Sequence, residues 1–63
     1  MPIITIEGPC LSTDQKRQLV RDLTKAARAV IPLPAEAFIV LIKENSHENV
    51  GVGGELLADK IPN

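Results

Sequence analysis

The apolar positions of this chain fall in two short blocks separated by a long periodic stretch. The first block, Pro2-Ile3-Ile4-Thr5-Ile6-Glu7, is rich in β-branched residues and almost continuously apolar. Such a run predicts a strand, and its weak alternation suits a strand covered on both faces, as in a parallel sheet. Gly8-Pro9 ends it, because glycine and proline are the strongest punctuation in a chain. Further on, Leu19, Val20, Leu23, Ala26, Ala27, Val30 and Ile31 recur at the i, i+3, i+4, i+7 spacings of one helical face. Lys16, Arg17, Arg21, Asp22, Lys25 and Arg28 cover the other face, most simply as a solvated one. Ser12-Thr13-Asp14-Gln15 reads as a capping box that opens this helix. Asp14 adds negative charge where the helix dipole favours it. The pattern therefore predicts a helix over 13–31, stopped by Pro32. Ala35-Glu36-Ala37 reads as one short turn. The second block, Phe38-Ile39-Val40-Leu41-Ile42, is the strongest strand signal, finished by Lys43-Glu44.

Strand, long helix, strand is the pattern of a βαβ unit, since a helical crossover of this length joins parallel strands. Asn45 to Asn49 is polar and turn-rich. Val50-Gly51-Val52-Gly53-Gly54 predicts a tight hairpin or bulge that reaches over a neighbouring subunit, Glu55 to Lys60 a brief helical turn, and Pro62-Asn63 a loose end. The expected class is α/β (α+β): one domain over 1–63, a single short βαβ unit with a C-terminal β-ribbon. One helix covers one face of two apolar strands and leaves the other bare. With 63 residues, 44% of them hydrophobic, the chain is marginal by itself. One cysteine, Cys10, and one histidine, His47, exclude an internal disulfide and the usual Cys/His zinc site. Assembly of subunits is the remaining way to cover the apolar surface.

Net charge is −1 and the only aromatic residue is Phe38, so stacking platforms and basic stripes for nucleic acid are missing. No run reaches the roughly 20 apolar residues of a membrane span, and the beginning lacks the layout of a secretory signal. The lone thiol fits a reducing compartment, and the expected location is cytoplasmic. Gly51-Val52-Gly53-Gly54 lacks the GK[ST] ending of a phosphate loop. His47 reads as a solvated loop residue and Cys10 as a partly buried, inert thiol.

Pro2 is the residue with chemistry. A small residue after Met1 favours removal of that methionine, which leaves a secondary amine at the head of a strand. Free α-amino groups titrate near 7.7–8.0, burial lowers that value, and a group poised near neutral pH suits general-base catalysis.

The arrangement resembles the 4-oxalocrotonate tautomerase family. The matching pieces are Met1-Pro2 with its Ile-rich strand, Glu7-Gly8, Asp14-Gln15-Lys16, Leu19-Val20-Arg21-Asp22-Leu23, Pro34, Val40-Leu41-Ile42, Glu44 and Gly51-Val52-Gly53-Gly54-Glu55-Leu56. The resemblance implies small βαβ subunits, dimers with a four-stranded sheet, and a homohexamer built as a trimer of dimers. It implies a cofactor-independent isomerase of aromatic-compound catabolism, with no metal, no nucleic acid and no membrane partner. Pro2 would be the general base and acid that interconverts enol and keto forms of a small 2-hydroxy-dienoate or 2-oxo acid. The family's arginine after Glu-Gly is replaced by the loop Pro9-Cys10-Leu11, its second-strand arginine by Ile39, and its aromatic wall by Val50. Leu11, Ile39, Leu41 and Val50, with Pro9, are then the expected apolar lining, which suits a monocarboxylate or neutral enol better than a dicarboxylate. Lys43 is the first choice for a replacement cation, since it shares the Ile39 strand face. Lys16 and Arg17 follow it, from the same or a neighbouring subunit. Two other readings share the fold: a non-catalytic oligomeric subunit or binding module, and a Pro2-dependent dehalogenase or decarboxylase of short unsaturated acids.

Overall fold

A computed structural model describes residues 1–61. Two parallel strands, β1 (Ile3–Gly8) and β2 (Ile39–Glu44), flank the helix α1 (Thr13–Arg28). Ile3 pairs with Ile39 and Gly8 with Glu44. The ladder continues one step beyond each end, through the Ile39 N–H to the Pro2 carbonyl at 3.0 Å and the Asn45 N–H to the Gly8 carbonyl at 2.8 Å. Pro2 itself falls outside the strand, having no N–H to give once Met1 is attached. The capping box forms as expected. The Gln15 N–H donates to Ser12 Oγ at 3.1 Å, and the Ser12 N–H donates to Gln15 Oε1 at 2.9 Å.

The helix ends at Arg28 rather than at Ile31. Pro32 acts further back than a simple stop, because its ring disfavours helical backbone at the residue before it. Ala29 caps the helix, and the Ile31 N–H returns to the Ala27 carbonyl at 2.8 Å. Val30 and Ile31 are thereby removed from the packed face; Val30 is 83% exposed. Leu19, Leu23 and Ala27 remain as the inward stripe, half-buried at a spacing of four.

A 3₁₀ turn at Ala35–Ala37 leads into β2, and another at His47–Asn49 leaves it. The chain then makes a hairpin of β3 (Gly51–Val52) and β4 (Glu55–Leu56), followed by one turn of helix, α2 (Leu57–Lys60). Gly53 and Gly54 both have positive φ, 62° and 83°. That is the requirement of a two-residue type I′ turn, which resolves the hairpin-or-bulge expectation. Pro62 and Asn63, expected as a loose end, lie outside the described residues.

The two faces of the β1–β2 sheet differ. Ile4, Ile6, Val40 and Ile42 lie under α1 and are half-buried. The other face carries Ile3, Thr5 and Glu7 opposite Ile39, Leu41 and Lys43. Ile3 is 57% and Leu41 45% exposed there. Within one chain the strands are therefore covered on one face only, as expected for two strands and a single helix. Phe38 is the only described hydrophobic residue that is buried, at 8% exposure.

The outline of the chain agrees. It extends 44 × 24 × 14 Å with a radius of gyration of 15.0 Å. A compact domain of this length would have about 11 Å. Its surface of 4797 Å² exceeds the roughly 4,000 Å² of a folded monomer of this mass. A slab one sheet and one helix thick has no interior of its own.

Candidate active site

The sequence-derived site residues lie at two ends of the sheet. Pro2 stands at the N-terminal end, beside Ile39 through the carbonyl hydrogen bond. Ile3 and Leu41 share the sheet face of Ile39, whereas Pro2 is in phase with Ile4 and Ile6. Met1 beyond Pro2 is 81% exposed. Leu11, Lys43 and Val50 belong to the C-terminal end of the strands. The six residues of β1 span about 17 Å from Ile3 to Gly8. One chain thus brings Pro2 and Ile39 together, with Leu41 one pleat on, and keeps Leu11, Lys43 and Val50 away from them. An apolar ring of all these residues around the Pro2 nitrogen does not exist within a single chain.

The C-terminal end is itself concave. A cleft of about 370 Å³ is lined by Glu7, Gly8, Pro9, Asn45, His47 and Val50, with Leu57 at one side. A second, of about 480 Å³, shares Pro9, Asn45 and His47 and adds Cys10 and Ser46. Together they form a trough outside the carboxyl ends of the strands, the place where open α/β sheets usually bind ligands. The local order is built from long-range polar contacts. Asn45 Nδ2 donates to Glu7 Oε1 at 3.2 Å. His47 Nδ1 hydrogen-bonds the Ile61 carbonyl at 2.8 Å. A carbonyl only accepts, so the proton of this bond sits on Nδ1. His47 is half-buried and holds the C-terminal arm, where the sequence suggested a solvated loop residue. Cys10 is exposed rather than partly buried, because the Gly8-Pro9 turn carries it off the sheet. The sequence signalled Asn45 and His47 only as polar turn residues. Their meeting depends on pairing across the whole chain.

The cations sort themselves by partner. Lys16 Nζ lies 2.6 Å from Glu44 Oε1, and Arg17 Nη1 lies 2.8 Å from Asp14 Oδ1. Lys43 has no carboxylate partner among the described residues. The three candidate replacements for the family arginines are thus reduced to one that is unengaged. Glu44 accepts a second bond on Oε2, from the Leu11 N–H at 2.9 Å. It therefore ties the loop after β1 and the first turn of α1 to the end of β2. The Lys16 ammonium, then the Leu11 N–H, hold the Glu44 carboxyl below its ordinary range. Both contacts favour the charged form.

Among the described residues no three His, Cys, Asp or Glu side chains gather as a metal site, and no helix is long and apolar enough to cross a membrane.

Comparison with known proteins is consistent over nearly the full length. Residues 2–60 match the family Tautomerase, described as tautomerase enzyme. DmpI from Archaeoglobus fulgidus is 41% identical, with a TM-score of 0.82, over 92% of this chain and 100% of its own. TomN, a 4-oxalocrotonate tautomerase homologue in the tomaymycin biosynthetic pathway, is 30% identical with a TM-score of 0.85, over 94% and 92%. A heterohexamer 4-oxalocrotonate tautomerase from Chloroflexus aurantiacus is 29% identical with a TM-score of 0.76, over 94% and 95%. A search of curated proteins returns no match.

Proposed function

The chain belongs to the tautomerase family, and on that premise we propose that it is a cofactor-independent isomerase. It interconverts the enol and keto forms of a small 2-oxo acid, with Pro2 as the proton carrier. The observation that carries this reading is the setting of Pro2. Its carbonyl is fixed by the Ile39 N–H at 3.0 Å, and the methionine before it is exposed. Removal of Met1 turns a tertiary amide into a secondary amine at a rigid strand end. The free amine takes the proton from the enol hydroxyl as the carbonyl forms. The resulting ammonium returns a proton to the carbon that held the double bond. No atom is gained or lost, and one group serves as base and then acid.

The surroundings bear on the substrate. Ile3, Ile39 and Leu41 make the Pro2 end apolar, and their burial on assembly would disfavour the ammonium and keep the amine available. Such a wall suits a monocarboxylate with an apolar body, or a neutral enol, better than a dicarboxylate. Lys43 is the carboxylate holder in this reading. It lies about 13 Å along β2 from Ile39, too far to serve its own Pro2. Assembly resolves the distance: two sheets packed antiparallel bring the C-terminal end of one, with Leu11, Lys43 and Val50, to the Pro2 end of the other. A hexamer of three dimers is the expected form, and the cytoplasm the expected place.

The test combines intact mass with ketonisation of phenylenolpyruvate on the same sample. The expected outcome is a mass lacking methionine and activity that disappears when the terminal amine is acetylated. An active chain that retains Met1 would overturn Pro2 as the base. A second reading is favoured by Ile39, which leaves the site without its arginine. The chain is then one kind of subunit in a mixed hexamer, as in the Chloroflexus aurantiacus relative. A processed but inactive chain that gains activity on mixing with a second tautomerase subunit would establish it.

A further inference from the structure

Five of the seven Lys and Arg residues sit on α1. Lys16 and Arg17 are paired, as described above. Arg21, Lys25 and Arg28 are not: no carboxylate lies within 4.0 Å of any of them among the described residues. Their spacing, four and then three, places them on one stripe of the helix. This stripe rims a groove of about 470 Å³ between α1 and the segment that enters β2. Val20, Ala35 and Phe38 supply its apolar lining. Phe38 is the one buried hydrophobic residue among the described residues, so the groove reaches down to the most deeply covered apolar side chain. The Arg28 Nε–H donates to the Leu33 carbonyl at 3.2 Å. That bond orients the guanidinium and leaves its two terminal nitrogens for another acceptor. The nearest carboxylates by sequence are Asp22, which is occupied by Gln18 Nε2 at 2.8 Å, and Glu36, on the turn beside Ala35.

We propose that this groove is a binding site for a small carboxylate with an apolar body, separate from the Pro2 centre. The chemistry is specific in two respects. A carboxylate can take paired, charge-assisted hydrogen bonds from a guanidinium, and three unpaired cations converge on one place. An aryl or branched aliphatic body can displace water from Val20, Ala35 and Phe38, and the volume falls within the roughly 300–1,000 Å³ of small-molecule pockets. The groove lies on the helix layer, away from the open sheet face that assembly covers, so it stays accessible in an oligomer built through that face. Phe38 directly precedes Ile39, whose N–H fixes Pro2. Occupancy of the groove therefore bears on the strand end that carries the amine. A ligand of the same chemical class as the substrate, or its product, is the natural occupant.

The test uses 3-phenylpropionate, which cannot enolise, titrated into the full chain and followed by amide chemical shifts. Saturable shifts are expected at Thr24, Lys25, Arg28 and Phe38. The R21Q/K25Q variant should bind about tenfold more weakly, the scale of one lost charged hydrogen bond. The neutral 3-phenylpropanamide should bind comparably weakly. Both changes are on an exposed helix face, and circular dichroism confirms the fold of the variant. A P2A variant should bind 3-phenylpropionate as the wild type does, which separates this site from the Pro2 reading. Three outcomes would overturn the proposal: shifts confined to the Leu41 and Lys43 face, unaltered affinity in R21Q/K25Q, or a change of oligomeric state in R21Q/K25Q, which would make the groove a subunit contact.

Discussion

The two faces of the β1–β2 sheet are built from the same two strands, yet only one is completed by the chain itself. Ile4, Ile6, Val40 and Ile42 meet the α1 stripe of Leu19, Leu23 and Ala27 and are half-buried. Ile3, Thr5 and Leu41, one residue out of phase, remain exposed. The difference is a single step of the two-residue strand period. It separates the face that the chain packs for itself from the face that it leaves open. Of the residues proposed for chemistry, Ile39, Leu41 and Lys43 belong to the open side, and Pro2 stands at the end of β1 next to Ile39. A site placed there is open in the single chain, and in the proposed reading another copy closes it.

The sharpest break in this comparison is at the end of the open face. Pro2→Ala should lower ketonisation of phenylenolpyruvate by roughly 10²–10⁴-fold, the usual worth of a positioned acid–base group. Alanine still leaves a terminal amine after processing, but a primary one at a different angle, and the oligomer should persist. Retention of full kcat/KM would remove Pro2 from the mechanism. Next in size is Leu41→Asp. A leucine fully buried between subunits contributes about 1.5–3 kcal/mol per copy, and a buried unpaired carboxylate adds a larger penalty. Sedimentation should show dissociation with the helix content largely kept. An intact oligomer in L41D would place the subunit contact elsewhere.

The covered face should answer differently. Ile42→Ala deletes atoms packed under α1 and should cost about 2 kcal/mol, the low end for such truncations, since the site is only half-buried in the chain. The loss should appear as a lower denaturant midpoint at every protein concentration. Leu41→Ala, by contrast, should lower the midpoint mainly at low concentration, because its contacts are made with another copy. Equal concentration dependence in the two variants would erase the distinction between the faces.

These contrasts also explain what was legible in the sequence. Elements governed by neighbours in the chain could be read directly. Ser12 and Gln15 reach each other within one turn, and Gly53-Gly54 supply the positive φ pair by themselves. The open face followed from area alone: one helix cannot cover two sides of two strands. Features set by distant residues were not readable. The helix ended three residues early because Pro32 acts on the backbone before it. The trough of Pro9, Asn45 and His47 exists only once the strands are in register. The candidate site was legible as a set of residue types but not as a place. Leu11, Lys43 and Val50 lie a sheet length away from Pro2, and sequence spacing carries no information about that separation across subunits.

A smaller effect sharpens the comparison at the far end of β2. Lys43→Gln should raise KM for phenylenolpyruvate by about tenfold, as expected when a charged hydrogen bond to a carboxylate is lost, with stability unchanged. The neutral amide of the same substrate should show no such change. An equal rise in KM for the amide would mean that Lys43 shapes the site rather than holding the carboxylate.

The smallest expected effect concerns Glu44, which joins the covered and uncovered parts through Lys16 and Leu11. Its carboxyl is held below the ordinary value of 4.5, first by the Lys16 ammonium and then by the Leu11 N–H. The folded state thus releases this proton more readily than the unfolded state does. Linkage then fixes the sign: the stabilisation is fully present above the ordinary carboxylate range and fades as pH falls through the folded-state value. Because the group is exposed, solvent screening keeps the effect small. Glu44→Gln should melt slightly below the wild type at pH 7, and the gap should close as the pH is taken below about 4.5. Lys16→Met should close the gap in the same window, since it removes the largest cause. A difference between E44Q and wild type that stayed constant from pH 7 to pH 3 would mean that the charge on Glu44 contributes nothing. The loop would then be held by the shape of the side chain and the Leu11 hydrogen bond alone.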